Sequence, residues 1–223
     1  MERLIDSFIL GPMLWFSFTV FILGNLFRAA RFFYAAGMKD PGFYQYFNLK
    51  YVLFSWGRWL LPFNRDVLKH PVFTLSVYIF HACLLVVPVW LAGHISLWEE
   101  SRLGWSWTPI PGRWADAMTF LFLAIAFFFL LRRLLKPEIR FLSSLGDYLL
   151  LLATVLPFLT GLFLAHDTLE GVPFLGGRML LIHVLSGEFL LILIPFSRLS
   201  HAVLFFLSRS ATAVEFGRRG YTA

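Results

Sequence analysis

The sequence predicts an all-α integral membrane bundle of five transmembrane helices, from its composition and from the length of its apolar segments. Of the 223 residues, 59% are hydrophobic and 14% are charged, and the mean hydropathy is +0.74. A soluble domain has roughly 45–50% apolar and about 25% charged residues. A soluble core of this size cannot hold the excess, so we expect lipid to cover much of the surface.

Five apolar segments are long enough to cross the hydrocarbon layer, which takes an α-helix of about 20 residues. The predicted spans are 7–27, 72–97, 115–131, 145–165 and 179–207. A shorter apolar segment, 51–63, carries Arg58 and is predicted to lie on the membrane surface as an interfacial helix. One membrane domain then accounts for residues 1–223, and the first apolar segment is expected to be a retained span rather than a signal peptide.

The distribution of Lys and Arg predicts how the bundle is oriented, because cytoplasmic loops carry an excess of these residues. Fifteen of the 19 lie between spans one and two, between spans three and four, or around the C-terminal tail. We therefore expect the N-terminus outside and the C-terminus in the cytoplasm. The basic residues form blocks between apolar segments rather than a stripe on a soluble fold, which argues against nucleic acid as a partner.

A single cysteine, Cys83, lies within the second span. One cysteine cannot form an intramolecular disulfide, a cysteine-rich zinc site or a self-contained iron–sulfur cluster. If the protein takes part in redox chemistry, any such cluster must belong to a partner.

The histidines are the main candidate functional residues, because ionisable groups inside spans are costly and usually functional. His70 and His81 are 11 residues apart, which on an α-helix returns to within about 20° of the same direction. His183 and His201 are 18 residues apart, which is five full turns. We therefore expect spans two and five each to present two imidazoles on one face.

Spans two and five run antiparallel, because an odd number of crossings separates them. His81 is then expected to meet His183 toward the outer half, and His70 to meet His201 toward the cytoplasmic end. Along the helix axes, His70 and His81 are about 16 Å apart, and His183 and His201 about 27 Å apart. Tilted helices and a bend at Pro195 would absorb this difference. Two facing pairs at two depths are what two bis-histidine haems require, and iron with no open coordination site favours electron transfer.

Other polar residues in or near the spans are secondary candidates. His94, Trp98 and His166 lie at the outer ends of spans two and four, where they could contact a quinone or a haem edge. Each also fits an interfacial side chain that is hydrogen-bonded to water or to a loop. Glu188, inside span five, is expected to be neutral, paired or part of a proton path.

The layout of spans and histidines resembles the gamma subunit of respiratory nitrate reductase, a dihaem cytochrome b. The segment 69–98, KHPVFTLSVYIFHACLLVVPVWLAGHISLW, is more similar to membrane cytochromes b of sulfate-reducing bacteria, from redox complexes of the Tmc and Dsr types. By this resemblance His81 and His183 ligate the outer haem, and His70 and His201 the cytoplasmic one.

This chain departs from the resemblance at one point. It has 11 residues rather than 10 between the span-two ligands, and the extra residue rotates one ligand by about 100° relative to the other. His70 is therefore the ligand most open to replacement, and His94 or His166 is the alternative.

The resemblance implies an electron-transfer subunit of an oxidoreductase complex, multi-pass in the bacterial inner membrane. The subunit would bind two haems b and lipid, and it would pass electrons between menaquinone or a periplasmic multihaem cytochrome c and a cytoplasmic iron–sulfur subunit. That partner would resemble heterodisulfide reductase. The alternative is a haem-free membrane anchor or assembly subunit of such a complex, in which the histidines only pack or bind lipid. A small transporter is disfavoured, because the sequence shows no inverted repeat.

Overall fold

The computed structural model describes residues 6–39, 45–61, 69–173 and 175–221. Within these ranges the chain consists of helices and turns, without β-strands. The helices are α1 (Asp6–Lys39), α2 (Leu49–Leu60), α3 (Pro71–Trp90), α4 (Ala92–Glu100), α5 (Gly112–Leu135), α6 (Pro137–Leu142), α7 (Leu145–Ala165), α8 (Met179–Phe196) and α9 (His201–Arg218). The predicted all-α class is confirmed.

In the part of the chain that the structure describes, five helices are long and apolar enough to cross a membrane, which confirms the predicted number of spans. They are α1, α3, α5, α7 and α8, the last together with the 3₁₀ turn Gly176–Arg178 that precedes it. Within the most apolar part of each span, between 11% and 28% of the residues are buried inside the chain. The other residues of these parts of the spans are partly buried or exposed, which is typical of helices that contact lipid.

The chain divides into two compact units, and the division falls within α8. The middle unit is His70–Ser186, and the terminal unit is Met1–Lys69 together with Gly187–Ala223.

Aromatic stacking forms the core of the middle unit. The Phe122 ring is fully buried and lies 4.5 Å from the Phe80 ring and 3.9 Å from the Phe158 ring, measured between centroids. These residues belong to α5, α3 and α7, so one stack joins three spans. Cys83 is buried in the same cluster.

In the terminal unit, α2 packs on α9. Val52 and Val214 are buried together at this contact. The indole Nε1–H of Trp56 lies 3.2 Å from Phe206 O and 3.1 Å from Ser210 Oγ. The predicted surface helix therefore exists as Leu49–Leu60, whereas residues 62 and 63 lie outside the described residues, and its place at the membrane surface stays a prediction.

Span one closely approaches the end of α8 in the terminal unit. A Cβ atom at Gly24 would lie 2.6 Å from Pro195 Cβ, so only glycine allows this approach. One turn further along α1, Arg28 Nε donates to Pro195 O at 2.7 Å. The last carbonyls of a helix have no donor within the helix, and α8 ends at Phe196, so Arg28 satisfies a carbonyl that the end of α8 leaves open.

The predicted end of span two at residue 97 is wrong. Helix α3 ends at Trp90, Leu91 is extended (φ −72°, ψ 131°), and α4 begins at Ala92. Pro88 weakens the helix just before the break, and groups beyond the break take up the carbonyls that α3 leaves open. Pro88 O accepts from His94 Nδ1 at 2.8 Å, Val89 O from Trp107 Nε1 at 3.0 Å, and Trp90 O from Ile110 N at 3.0 Å.

The predicted continuity of span five to residue 207 is also wrong. Helix α8 ends at Phe196, Ser197 is extended (φ −122°, ψ −175°), and the 3₁₀ turn Arg198–Ser200 leads into α9. His183 and His201 therefore stand on two helices, and the argument that five full turns place them on one face does not apply.

Candidate functional site

His183 has the most detailed surroundings of the predicted ligands. It lies in α8, in the middle unit, and is half-buried. Its Nδ1 is 3.1 Å from Thr160 Oγ1 of α7. Ser186, one turn after His183, donates its hydroxyl to His183 O at 2.7 Å and lies 3.2 Å from Thr160 Oγ1.

Gly161 provides the space for the His183 ring. A Cβ atom at this position would lie 2.9 Å from His183 Cε1 and 3.3 Å from Nδ1. Any larger residue would therefore push the imidazole away from its observed position. Two consecutive residues of α7 therefore shape the surroundings of His183: Thr160 is its hydrogen-bond partner, and Gly161 leaves space for its ring.

His94 lies beside His183. The two ring centroids are 5.9 Å apart and the ring planes differ by 12°. His94 lies in α4, which begins just after the extended residue Leu91 at the end of α3. The sequence pattern placed His94 at the outer end of span two, whereas the structure brings it to the ring of a predicted ligand.

His81 lies in the middle of α3 and is half-buried. Its Nδ1 is 2.8 Å from Val77 O, one turn earlier, and its ring meets Phe80 edge-on at 5.6 Å. His81 and His183 belong to the same unit, and their meeting as a pair stays a prediction.

His70 and His201 both lie at helix starts and are exposed. His70 precedes Pro71 at the N-cap of α3, and His201 is the first residue of α9, with Nδ1 3.0 Å from Arg198 O. The two residues fall in different units, and their pairing stays a prediction.

Four histidines have their Nδ1 atom within hydrogen-bond distance of an oxygen atom. In His81, His94 and His201, Nδ1 lies within 3.0 Å of a backbone carbonyl oxygen, which can only accept a hydrogen bond. Nδ1 must therefore carry the proton, and in the neutral ring the electron pair lies on Nε2. In His183 the Nδ1 partner is a hydroxyl. Fixing one ring nitrogen in this way is how proteins orient a metal-binding imidazole.

His166 differs from these four. It caps the end of α7, and its Nε2 lies 3.2 Å from Asp116 Oδ1 of α5. Both side chains are partly exposed. The nitrogen that would face a metal in the other histidines is bound to a carboxylate here, so His166 is the weakest replacement ligand.

The remaining candidates occupy separate places. Trp98, in α4, stacks on Trp105 with centroids 6.0 Å apart. Glu188 is fully buried in α8, and within the described part of the chain neither carboxyl oxygen has a hydrogen-bond partner. Of the three alternatives for Glu188, a paired carboxylate is therefore the one that the described residues do not support. Among the described residues, no three His, Cys, Asp or Glu side chains gather into a metal-binding group.

Sequence reasoning missed Thr160, Gly161 and Ser186. Small polar residues in an apolar span were the available signal, because a hydroxyl there needs a partner. The partner of Thr160 depends on how α7 packs against α8. Thr160 and its partner His183 are 23 residues apart in the sequence, so no local pattern reveals their contact.

The fold and the site define a multi-pass helical membrane protein with oriented imidazoles inside its spans. The chain belongs to the same family as a protein of Nitratidesulfovibrio vulgaris (strain Hildenborough). The two are 35% identical over 228 aligned positions, which cover 96% of this chain and 95% of the relative. That relative is described simply as a protein, so the relationship shows a family and not an activity. No family model matches the chain.

Proposed function

We propose that this chain is the haem b subunit of a respiratory redox complex and carries electrons through the membrane. One observation supports the proposal above all others. Four histidines, His81, His94, His183 and His201, have Nδ1 hydrogen-bonded to an oxygen atom, which is how proteins orient an imidazole that binds a metal through Nε2.

The donor set fits haem b. A b-type haem is held by side-chain ligands alone, and two imidazoles leave iron able to exchange one electron but not to bind oxygen. Covalent attachment of a c-type haem uses a C-x-x-C-H motif, and this chain has a single cysteine, buried in the core of the middle unit. In the proposal, His81 and His183 hold the outer haem and His70 and His201 the cytoplasmic one. Because the His94 ring lies 5.9 Å from the His183 ring, His94 is also an alternative to His81 as the partner of His183.

The proposed orientation follows from the positive-inside rule, with the N-terminus outside the bacterial inner membrane and α9 in the cytoplasm. Electrons would pass between menaquinone or a periplasmic multihaem cytochrome c and a cytoplasmic iron–sulfur subunit resembling heterodisulfide reductase. His94, Trp98 and His166 are the proposed quinone or haem-edge contacts. The relative comes from a sulfate-reducing bacterium. This source agrees with the proposed resemblance to cytochromes b of sulfate-reducing bacteria.

Absorption spectroscopy tests the proposal. Protein purified from cells supplied with haem should show a reduced-minus-oxidised spectrum of b-type haem, with about two haems per chain by pyridine haemochrome assay. A colourless preparation that is folded by circular dichroism would overturn the proposal in favour of a haem-free anchor or assembly subunit.

Ligand variants test the pairing. His201→Ala should remove the cytoplasmic haem and His81→Ala the outer haem, because each variant takes away one of the two ligands of that haem. Each variant should therefore contain one haem per chain instead of two. His166→Ala is the control and should keep both haems, since its Nε2 is bound to Asp116.

Two results would contradict this pairing. Loss of both haems in His201→Ala would show that the pairs are assigned wrongly. Full haem content in His81→Ala, together with loss in a His94→Ala variant, would make His94 the partner of His183.

A further inference from the structure

We infer that Thr160 is a positioning residue for His183, whose imidazole donates its Nδ1 proton to the Thr160 hydroxyl and so presents Nε2 as the ligand atom. The inference rests on the proposed haem function and deepens it. It brings α7 into a site that the sequence pattern assigns to spans two and five alone.

The direction of the hydrogen bond follows from the destination of the Thr160 proton. Thr160 Oγ1 lies 2.8 Å from Leu156 O, one turn earlier in α7. A carbonyl can only accept, so this bond uses the single hydroxyl proton of Thr160. The same oxygen, 3.1 Å from His183 Nδ1, then accepts from the imidazole.

Ser186 supports this assignment from the other helix. Its hydroxyl donates to His183 O at 2.7 Å, so its proton also goes to a backbone carbonyl. The Ser186 and Thr160 oxygens are 3.2 Å apart. With both hydroxyl protons directed at carbonyls, the proton between Thr160 and His183 is the one on Nδ1.

Burial keeps this bond intact. Thr160 is 7% exposed, so water scarcely competes for its oxygen. The rotamer of a helical threonine is restricted and further fixed by its bond to the carbonyl one turn earlier. Gly161 leaves room for the ring at the required distance.

The hydrogen bond should tune the bound haem as well as orient its ligand. An imidazole whose N–H is hydrogen-bonded is a stronger base at its other nitrogen. A stronger donor stabilises ferric iron more than ferrous iron, so Thr160 lowers the reduction potential. Removing the hydroxyl should raise the equilibrium constant for one-electron reduction by up to about tenfold, which corresponds to about 59 mV.

The chain offers a matched control in the same helix. Thr154 is also buried in α7 and makes the same bond to the carbonyl four residues earlier, Leu150 O, at 2.8 Å. Thr154→Val therefore repeats the loss of a buried hydroxyl without touching His183. Thr160→Ser keeps the hydroxyl, and Thr160→Ala provides a second deletion if valine does not fold.

Two measurements on the purified full chain test the inference. Redox titration with optical detection gives the potential of each haem, and ¹⁵N NMR of histidine-labelled protein, reduced with dithionite, reports which His183 nitrogen carries the proton. The His183 signals are assigned by their absence in His183→Gln. We expect Thr160→Val to raise one potential and to shift or lose the Nδ1–H signal, and Thr160→Ser and Thr154→Val to match the wild type.

The outcomes separate the inference from the proposed function. Haem bound with unchanged potentials and an unchanged Nδ1–H signal in Thr160→Val and Thr160→Ala would overturn the inference and leave the function standing. A wild type without haem would overturn the function, while NMR of that protein still tests the tautomer of His183. Equal effects of Thr154→Val and Thr160→Val would show a general packing effect and overturn the inference.

Discussion

At the scale of residues, the surroundings of His183 show how a histidine is accommodated inside an apolar span. An imidazole in a span must satisfy its polar atoms within the protein, because lipid offers no hydrogen bonds. Thr160 satisfies Nδ1, and Gly161 prevents a steric conflict with the ring. In the proposed function the remaining nitrogen binds iron, so the packing of the ring and its proposed ligand chemistry depend on the same two neighbours in α7.

Gly161→Ala should destabilise the protein although alanine normally favours a helix by roughly 0.5–1 kcal/mol over glycine. The new Cβ would lie 2.9 Å from His183 Cε1, and overpacking costs about 1–3 kcal/mol. We expect a lower Tm in detergent, followed by circular dichroism. Gly57→Ala in α2, where a Cβ meets no atom within 4 Å, is the control and should keep or raise the Tm. An equal rise in both variants would contradict the packing role of Gly161.

At the scale of elements, the ends of the spans depend on hydrogen bonds from distant parts of the chain. The apolar segments continue past Trp90 and Phe196, yet α3 and α8 stop there. Prolines weaken both helices near these points. Arg28 donates to Pro195 O from 167 residues away, and no local pattern could reveal that contact. The helix type was therefore predictable, whereas the positions of the breaks were not.

Trp56→Phe should loosen the contact between α2 and α9. The change removes the indole hydrogen bonds to Phe206 O and Ser210 Oγ and keeps a ring against Phe206, whose centroid lies 5.1 Å away. We expect a loss of about 0.5–1.5 kcal/mol, measured as a lower Tm and as faster amide hydrogen exchange in α2. Trp114→Phe, at an exposed site in α5, should leave both unchanged. Unchanged exchange in α2 after Trp56→Phe would show that apolar contacts alone hold it.

At the scale of the whole molecule, the spans expose most of their surface. Within the most apolar 18-residue window of each span, between 11% and 28% of the residues are buried inside the chain, while the basic residues lie mainly in the segments predicted to be cytoplasmic. Helices of this kind are suited to contact with lipid, and the proposed partner subunits would bind at one end of the bundle. Its orientation decides which partners can reach which histidines.

Cysteine labelling tests the orientation. The single native cysteine is buried, so the wild type should not react with a membrane-impermeant maleimide. Ser106→Cys, between α4 and α5, should be labelled in spheroplasts, and Ser208→Cys in α9 only in inverted membrane vesicles. Both positions are exposed. The opposite labelling pattern would reverse the proposed orientation and place the iron–sulfur partner at the other end of the bundle.

The sequence by itself determined that this protein has five apolar helical spans, because the transfer of a helix into lipid depends on a local run of about 20 residues. It also identified the histidines, because ionisable residues are conspicuous in such runs. The tertiary structure decided that His183 meets Thr160, Gly161 and His94, and that His201 starts a new helix. These features depend on how helices pack and where they break, and packing joins residues that are far apart in the chain.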